Sequence, residues 1–158
     1  SMINARSETL AEKPSFRNLI GKHRCVLPIQ GFYEWQNLPT ETKKPRKQAF
    51  YISRVDAQVM TLAGLWTTWK QPDSSILKTC TIITTGANTD LREIHHRMPV
   101  VLEKSGVDTW LSDSTEAPLE LLVPAENSVL RAEPTSRLER RGKPESAQLG
   151  DDPSGRLF

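Results

Sequence analysis

Apolar positions along the chain follow two different periods. Between residues 14 and 20, Phe16, Leu19 and Ile20 share one helical face, with Pro14 suited to a first helical turn and Gly21 to a stop. A short helix is predicted there. From Cys25 the pattern turns strand-like: Cys25, Val26, Leu27 and Ile29 run through Gly31 into Phe32, Tyr33, Glu34 and Trp35, which reads as strand, kink, strand. Residues 36–47 read as a polar loop bearing Pro39 and Pro45, and alternation returns over 49–55. Two further runs, 59–66 and 79–85, are rich in Val, Ile, Thr and Trp and flank the turn signal Gln71-Pro72-Asp73-Ser74. Asn88 or Thr89 offers a cap for a short helix towards Ile94, and 98–102 reads as another strand. Residues 106–111 and 118–122 read as two short helices, the second opening on Pro118. The pattern predicts an α+β fold, a mostly antiparallel, barrel-like sheet with short flanking helices.

Beyond about residue 134 the periodicity stops. Arg, Lys, Glu, Gly, Pro and Ser gather there, a composition that buries too little surface to offset its ordering entropy. The expected organisation is one domain over 2–134 and a polar tail over 135–158. An apolar fraction of 37% in 158 residues is adequate for a single core once that tail is set aside. No apolar run approaches the ~18 residues that span a bilayer, and Glu8 and Glu12 interrupt the region where a signal peptide would be apolar. The expectation is a soluble, cytoplasmic protein with no membrane partner. A net charge of +2 points neither to nor away from nucleic acid. Its basic residues cluster at Lys43, Lys44, Arg46 and Lys47 and again at Arg137, Arg140, Arg141 and Lys143, both in Pro-punctuated stretches that read as solvated loops. Cys25 and Cys80 lack CxxC spacing, so they suggest neither a zinc site nor a redox pair and read as reduced, buried thiols.

Three segments put reactive groups beside turn residues or aromatics: Asn4-Ala5-Arg6-Ser7-Glu8, Gly31-Phe32-Tyr33-Glu34-Trp35, and Ile94-His95-His96-Arg97-Met98-Pro99. Singly, each has a bland explanation. An Asn near a loop is usually a turn former, a Glu between aromatics an edge-strand surface residue, and a His pair more often surface than ligand. Adjacent His residues on an extended segment point to opposite sides, and no HExxH motif or Cys partner accompanies them, so no metal is expected. The phosphate-binding GxxxxGK and GxGxxG strings and the GxSxG elbow are absent as well.

Jointly, and in this order, the strings resemble the SOS-response-associated peptidase (SRAP) family. The likeness is carried by Ile3-Asn4-Ala5-Arg6-Ser7-Glu8, by Arg24-Cys25 with Pro28 and Gly31 to Trp35, by Thr84-Thr85-Gly86-Ala87-Asn88, and by Ile94 to Pro99. It covers about residues 2–133, whereas 130–158 departs from the family's usual C-terminal pattern. The resemblance implies a protein of the DNA damage response that binds single-stranded DNA and captures abasic sites covalently. The nucleophile is an N-terminal cysteine, exposed by autoproteolytic removal of the initiator Met, which closes a thiazolidine cross-link. That cysteine lies upstream of the Asn-Ala-Arg string, and neither Cys25 nor Cys80 matches it. The chain therefore reads as an N-terminally truncated member, expected not to form the cross-link itself and to oligomerise only as a consequence of truncation. Carried over residue by residue, Asn4 orients the nucleophile, Glu34 manages the amine's protons, and His95 acts on the sugar O4′. Arg6 and Arg97 hold phosphates, and Tyr33 and Trp35 offer stacking surface. The implied partner is single-stranded DNA with abasic sites, with no cofactor and no metal. A second reading is a non-covalent single-stranded-DNA-binding module in which Arg6 and the basic loop supply the affinity.

Overall fold

Two β-sheets and one layer of short helices, seen in a computed structural model, account for the described residues, 3–39 and 46–136. Lys43, Lys44 and the polar tail from 137 onward, with its basic cluster, lie outside the described residues. The first sheet runs in the order β1 (Asn4–Arg6), β6 (Ile76–Gly86), β5 (Met60–Lys70), β2 (Arg24–Ile29). Two short strands, β7 (Arg97–Pro99) and β8 (Val101–Leu102), pair with β6 and β5 respectively. The second sheet is β3 (Gly31–Leu38), β4 (Arg46–Arg54) and β9 (Leu130–Thr135). Only the β1–β6 pairing is parallel among the described strands. The α+β, mostly antiparallel expectation therefore holds, though the sheets are not closed into a barrel.

Side-chain alternation divides the interior into two cores. On one face of the first sheet Ala5, Ala63, Leu65 and Ile83 pack with Leu10, Phe16, Ile20, Trp110 and Leu122 from the helical layer, which includes α1 (Pro14–Arg17) and α2 (Lys104–Leu111). On the other face Leu27, Ile29, Met60, Leu62 and Ile82 meet Phe32, Ile52, Leu130 and Ala132 of the second sheet. Arg24, only 9% exposed, ties the helical layer down: its guanidinium donates to the carbonyls of Ile20 (2.8 Å), Gly21 (3.0 Å) and Ser114 (2.9 Å), and also to those of Trp110 and Ser112. Five carbonyl acceptors and no carboxylate make Arg24 a backbone strut, and Trp110 Nε1 returns a bond to Cys25 O at 2.9 Å.

Several boundaries differ from the sequence pattern. β3 and β4 extend into the expected loop, with Gln36, Asn37 and Leu38 paired to Gln48, Lys47 and Arg46. β3 is an edge strand, so polar side chains there face solvent at little cost. Residues 89–94 form successive turns, although Asn88 caps them as expected, its Oδ1 accepting from Leu91 N at 3.2 Å. The helix at 14–20 is regular only over Pro14–Arg17, and 118–122 narrows to a 3₁₀ turn at Leu119–Leu121. β9 is not foreseen, because Pro134 and two charged residues mask its alternation. Both features are tolerated at an edge. Cys80 is exposed, not buried. Among the described residues no helix is long and apolar enough to cross a membrane.

Candidate active-site cleft

Strand alternation continues past the apolar core and carries polar groups to the mouth between the sheets. On β6, Ile82 and Thr84 lie on the same side, and the parallel register sets Asn4 beside Ile82 and Arg6 beside Thr84. On β3, the alternation that turns Phe32 towards the core turns Glu34 the same way. A cleft of about 380 Å³ opens there, lined by Asn4, Tyr33, Glu34, Thr84, His95 and Arg97 over an apolar floor that includes Ile29, Phe32, Leu62 and Ile82. Gly31 lets the strands approach at this point. A Cβ on it would fall 2.5 Å from Ile52 O and from the Tyr51 ring, which itself packs on Tyr33 at 5.2 Å.

His95 arrives on the turns after β6, which are pinned at both ends. Buried Asn88 donates from Nδ2 to Ala125 O (3.1 Å), and Gln36 on β3 donates from Nε2 to Glu93 O (2.9 Å). The imidazole Nδ1 lies 3.2 Å from Arg97 N, 3.1 Å from Arg97 O and 3.8 Å from Glu34 Oε2. A neutral ring that accepts the Arg97 N–H at Nδ1 carries its proton on Nε2. A protonated ring donates from Nδ1 towards Arg97 O and Glu34 while keeping the Nε2 proton. The protonated ring and this neutral tautomer both offer Nε2–H as a donor, whereas the other neutral tautomer donates from Nδ1 to Arg97 O and accepts at Nε2.

Beside it, the Arg97 guanidinium is already engaged. Its two terminal nitrogens donate to Glu8 Oε1 and Oε2 at 2.6 and 3.0 Å, and one also donates to Thr84 O at 2.6 Å. These bonds from Arg97 hold the Glu8 carboxyl down at about 2. Glu8 and Thr84 stand in the family-like strings, but only the fold reveals that they converge on Arg97.

The cleft thus brings together five of the seven residues singled out from sequence: Asn4, Tyr33, Glu34, His95 and Arg97. Arg6 is exposed on β1 and Trp35 is 39% exposed on β3, and neither is among the cleft's lining residues. His96 is exposed with its ring 4.5 Å from that of His95. Among the described residues no three His, Cys, Asp or Glu side chains group as a metal site.

The sequence profile of the SOS response associated peptidase (SRAP) family matches residues 1–138. The chain is 39% identical over 151 residues to the abasic site processing protein YoqW of Bacillus subtilis, covering 94% of this chain and 66% of that protein. It is 33% identical over 156 residues to the abasic site processing protein HMCES of Pongo abelii, covering 82% of this chain and 44% of that protein. The chain thus spans at most about two thirds of either relative. A crystal structure of a protein from Bacteroides thetaiotaomicron superposes with a TM-score of 0.76 at 32% identity, over 83% of this chain and 57% of that one. One from Bordetella bronchiseptica does so with a TM-score of 0.72 at 26% identity, over 85% and 65%.

Proposed function

The chain belongs to the SOS response associated peptidase family, and from that premise we propose that its cleft handles abasic sites in single-stranded DNA, with Asn4, Glu34 and His95 acting on the opened sugar. One observation carries the reading: three polar side chains from segments far apart in the chain line one cleft whose floor is apolar. The Bacillus and Pongo relatives are named for abasic site processing. An unpaired strand is the natural substrate, because a sugar has to leave the duplex stack before side chains lining a cleft can act on it.

An abasic deoxyribose opens to an aldehyde, and an α-amine with a pKa of roughly 8 is partly neutral at cellular pH. That amine adds to the aldehyde carbon, water leaves, and a Schiff base remains. The thiol of the same N-terminal cysteine then adds to the imine carbon, its proton passes to nitrogen, and a thiazolidine closes. The resemblance assigns that cysteine upstream of Asn4. Glu34 takes the proton shed by the attacking amine and returns it to the departing hydroxyl, while the His95 Nε2–H donates to sugar O4′ as the ring opens. The Asn4 amide holds the amine and thiol in line. A carboxylate and an imidazole serving an N-terminal nucleophile also suit the autoproteolytic removal of an initiator Met. Arg6, exposed on β1, holds a phosphate. A phosphate reaching Arg97 has to compete with Glu8.

The test is a chain extended upstream to a Met-Cys start and incubated with an abasic single-stranded oligonucleotide. A covalent adduct is expected, reduced at least tenfold in initial rate by Glu34→Ala and by His95→Ala at unchanged thermal stability. Full retention of the rate in both variants overturns the assigned roles.

A further inference from the structure

The β5–β6 hairpin runs well past its neighbours. β2 pairs with β5 only as far as Leu65, and β1 and β7 pair with β6 only from Ile82 onward. Trp66 N still donates to His23 O at 2.8 Å; beyond it, among the described residues, the stretch Thr67 to Lys70 against Ile76 to Thr79 has no other ladder partner, a two-stranded ribbon projecting from the sheet. Ile76, Lys78 and Cys80 lie on the same side of β6 as Ile82 and Thr84, and Trp66, Thr68 and Lys70 on the same side of β5 as Leu62. Leu62, Ile82 and Thr84 line the cleft. The ribbon therefore continues the sheet face that floors the cleft, and Lys78 is reached about 14 Å along the strand from Ile82.

The chemistry of that side is specific in sign. Lys78 Nζ sits 5.8 Å over the Trp66 ring, whose other ring neighbour is His23 at 4.5 Å, next in sequence to Lys22. Lys70 stands opposite the largely exposed Ile76. Neither strand carries an Asp or Glu, and the hairpin's one carboxylate, Asp73, is folded into the turn, accepting from Ser75 N and Ser75 Oγ at 2.9 and 2.6 Å. Two lysines spaced along the ribbon beyond an indole, on the same side and with no carboxylate on either strand, complement a polyanion that also bears flat apolar groups.

We propose that this side of the hairpin is an accessory track for the single-stranded nucleic acid that leaves the cleft, with Lys70 and Lys78 on its phosphates and the Trp66 edge against an unpaired base. The proposal rests on the reading of the cleft as a DNA site. An unpaired strand fits better than a duplex because only unpaired bases offer a face to an indole.

Fluorescence anisotropy separates the two readings, using the whole chain with labelled oligothymidylates of about 4 and about 12 nucleotides, within the range of sites on single-strand-binding surfaces. The longer strand is expected to bind at least fivefold more tightly. Lys70→Gln with Lys78→Gln should abolish that advantage, leave the short strand's affinity unchanged, and lower the slope of log affinity against log salt by roughly 1.4. A length advantage and salt slope that survive the double substitution overturn the track while leaving the cleft reading intact. Binding to neither length at low salt overturns both. A duplex of the same length bound more tightly than the single strand, with the same loss in the double variant, overturns the single-strand assignment.

Discussion

Among the residues of the cleft, the pair that carries most electrostatic consequence is one the sequence did not single out. Glu8 is held at about 2, against an ordinary 4.5, by its bonds from Arg97. A carboxyl whose folded pKa is depressed stabilises fully above its unfolded value, and that stabilisation is lost as pH falls through the folded value. Acid unfolding followed by near-ultraviolet circular dichroism should thus show a decline between pH 4.5 and about 2 that Glu8→Gln flattens. The difference should be modest, because the carboxylate is half-exposed and screened. The two cysteines differ in the same physical terms. Burial, with a smaller contribution from Cys80, pushes the Cys25 thiol up to about 11, whereas Cys80 stands exposed on the ribbon. Alkylation at pH 8 followed by peptide mass mapping should label Cys80 readily and Cys25 only after unfolding.

At the scale of the element, the hairpin of β5 and β6 is the organising piece, pairing with β1, β2, β7 and β8. Gly64 lies where it is most tightly hemmed in: a Cβ there would meet Leu27 Cδ1 at 2.5 Å, Thr81 O at 2.9 Å and Cys25 Sγ at 3.1 Å. The Leu27 methyl can turn aside, but the Thr81 carbonyl belongs to the ladder and cannot. Gly64→Ala should cost about 1–3 kcal/mol in urea denaturation. The turns bearing His95 depend on different forces. They hold no regular helix, so Asn88 and Gln36 fix them by side-chain bonds to distant backbone, and neither role is visible in local pattern.

For the whole molecule, the helical layer and the cleft occupy opposite faces of the first sheet, with a second core packed between the sheets beside the cleft. Arg24 and Trp110 serve the helical face, while Asn4, Glu34 and His95 open from the other. Arg24→Met keeps the apolar stem but strands several buried carbonyls, an expected loss of roughly 3–4 kcal/mol in thermal or urea unfolding. Oligonucleotide binding measured well below the variant's melting temperature should be unchanged, since no Arg24 contact reaches the cleft. The family likeness had drawn Arg24 and Glu34 into one string. The fold separates them into a strut and a site residue, on consecutive strands of different sheets.

Local physics by itself determined most of the strands and their order, though not β9 and not the turns that replace the helix expected towards Ile94. The strand-like runs 25–35, 49–55, 59–66 and 79–85 are legible locally, because β-branched and aromatic residues suit a pleated, partly buried strand. The sequence strings also brought out Asn4, Glu34 and His95 as a set. Only the tertiary structure decided that these three share one cleft with Thr84, that Arg97 is clamped by Glu8, and that β9 closes the second sheet despite Pro134. Those features depend on strand register and on contacts between segments far apart in the chain. A local pattern carries no information about which distant backbone will satisfy a polar group, and it is the burial of that group that makes the answer matter.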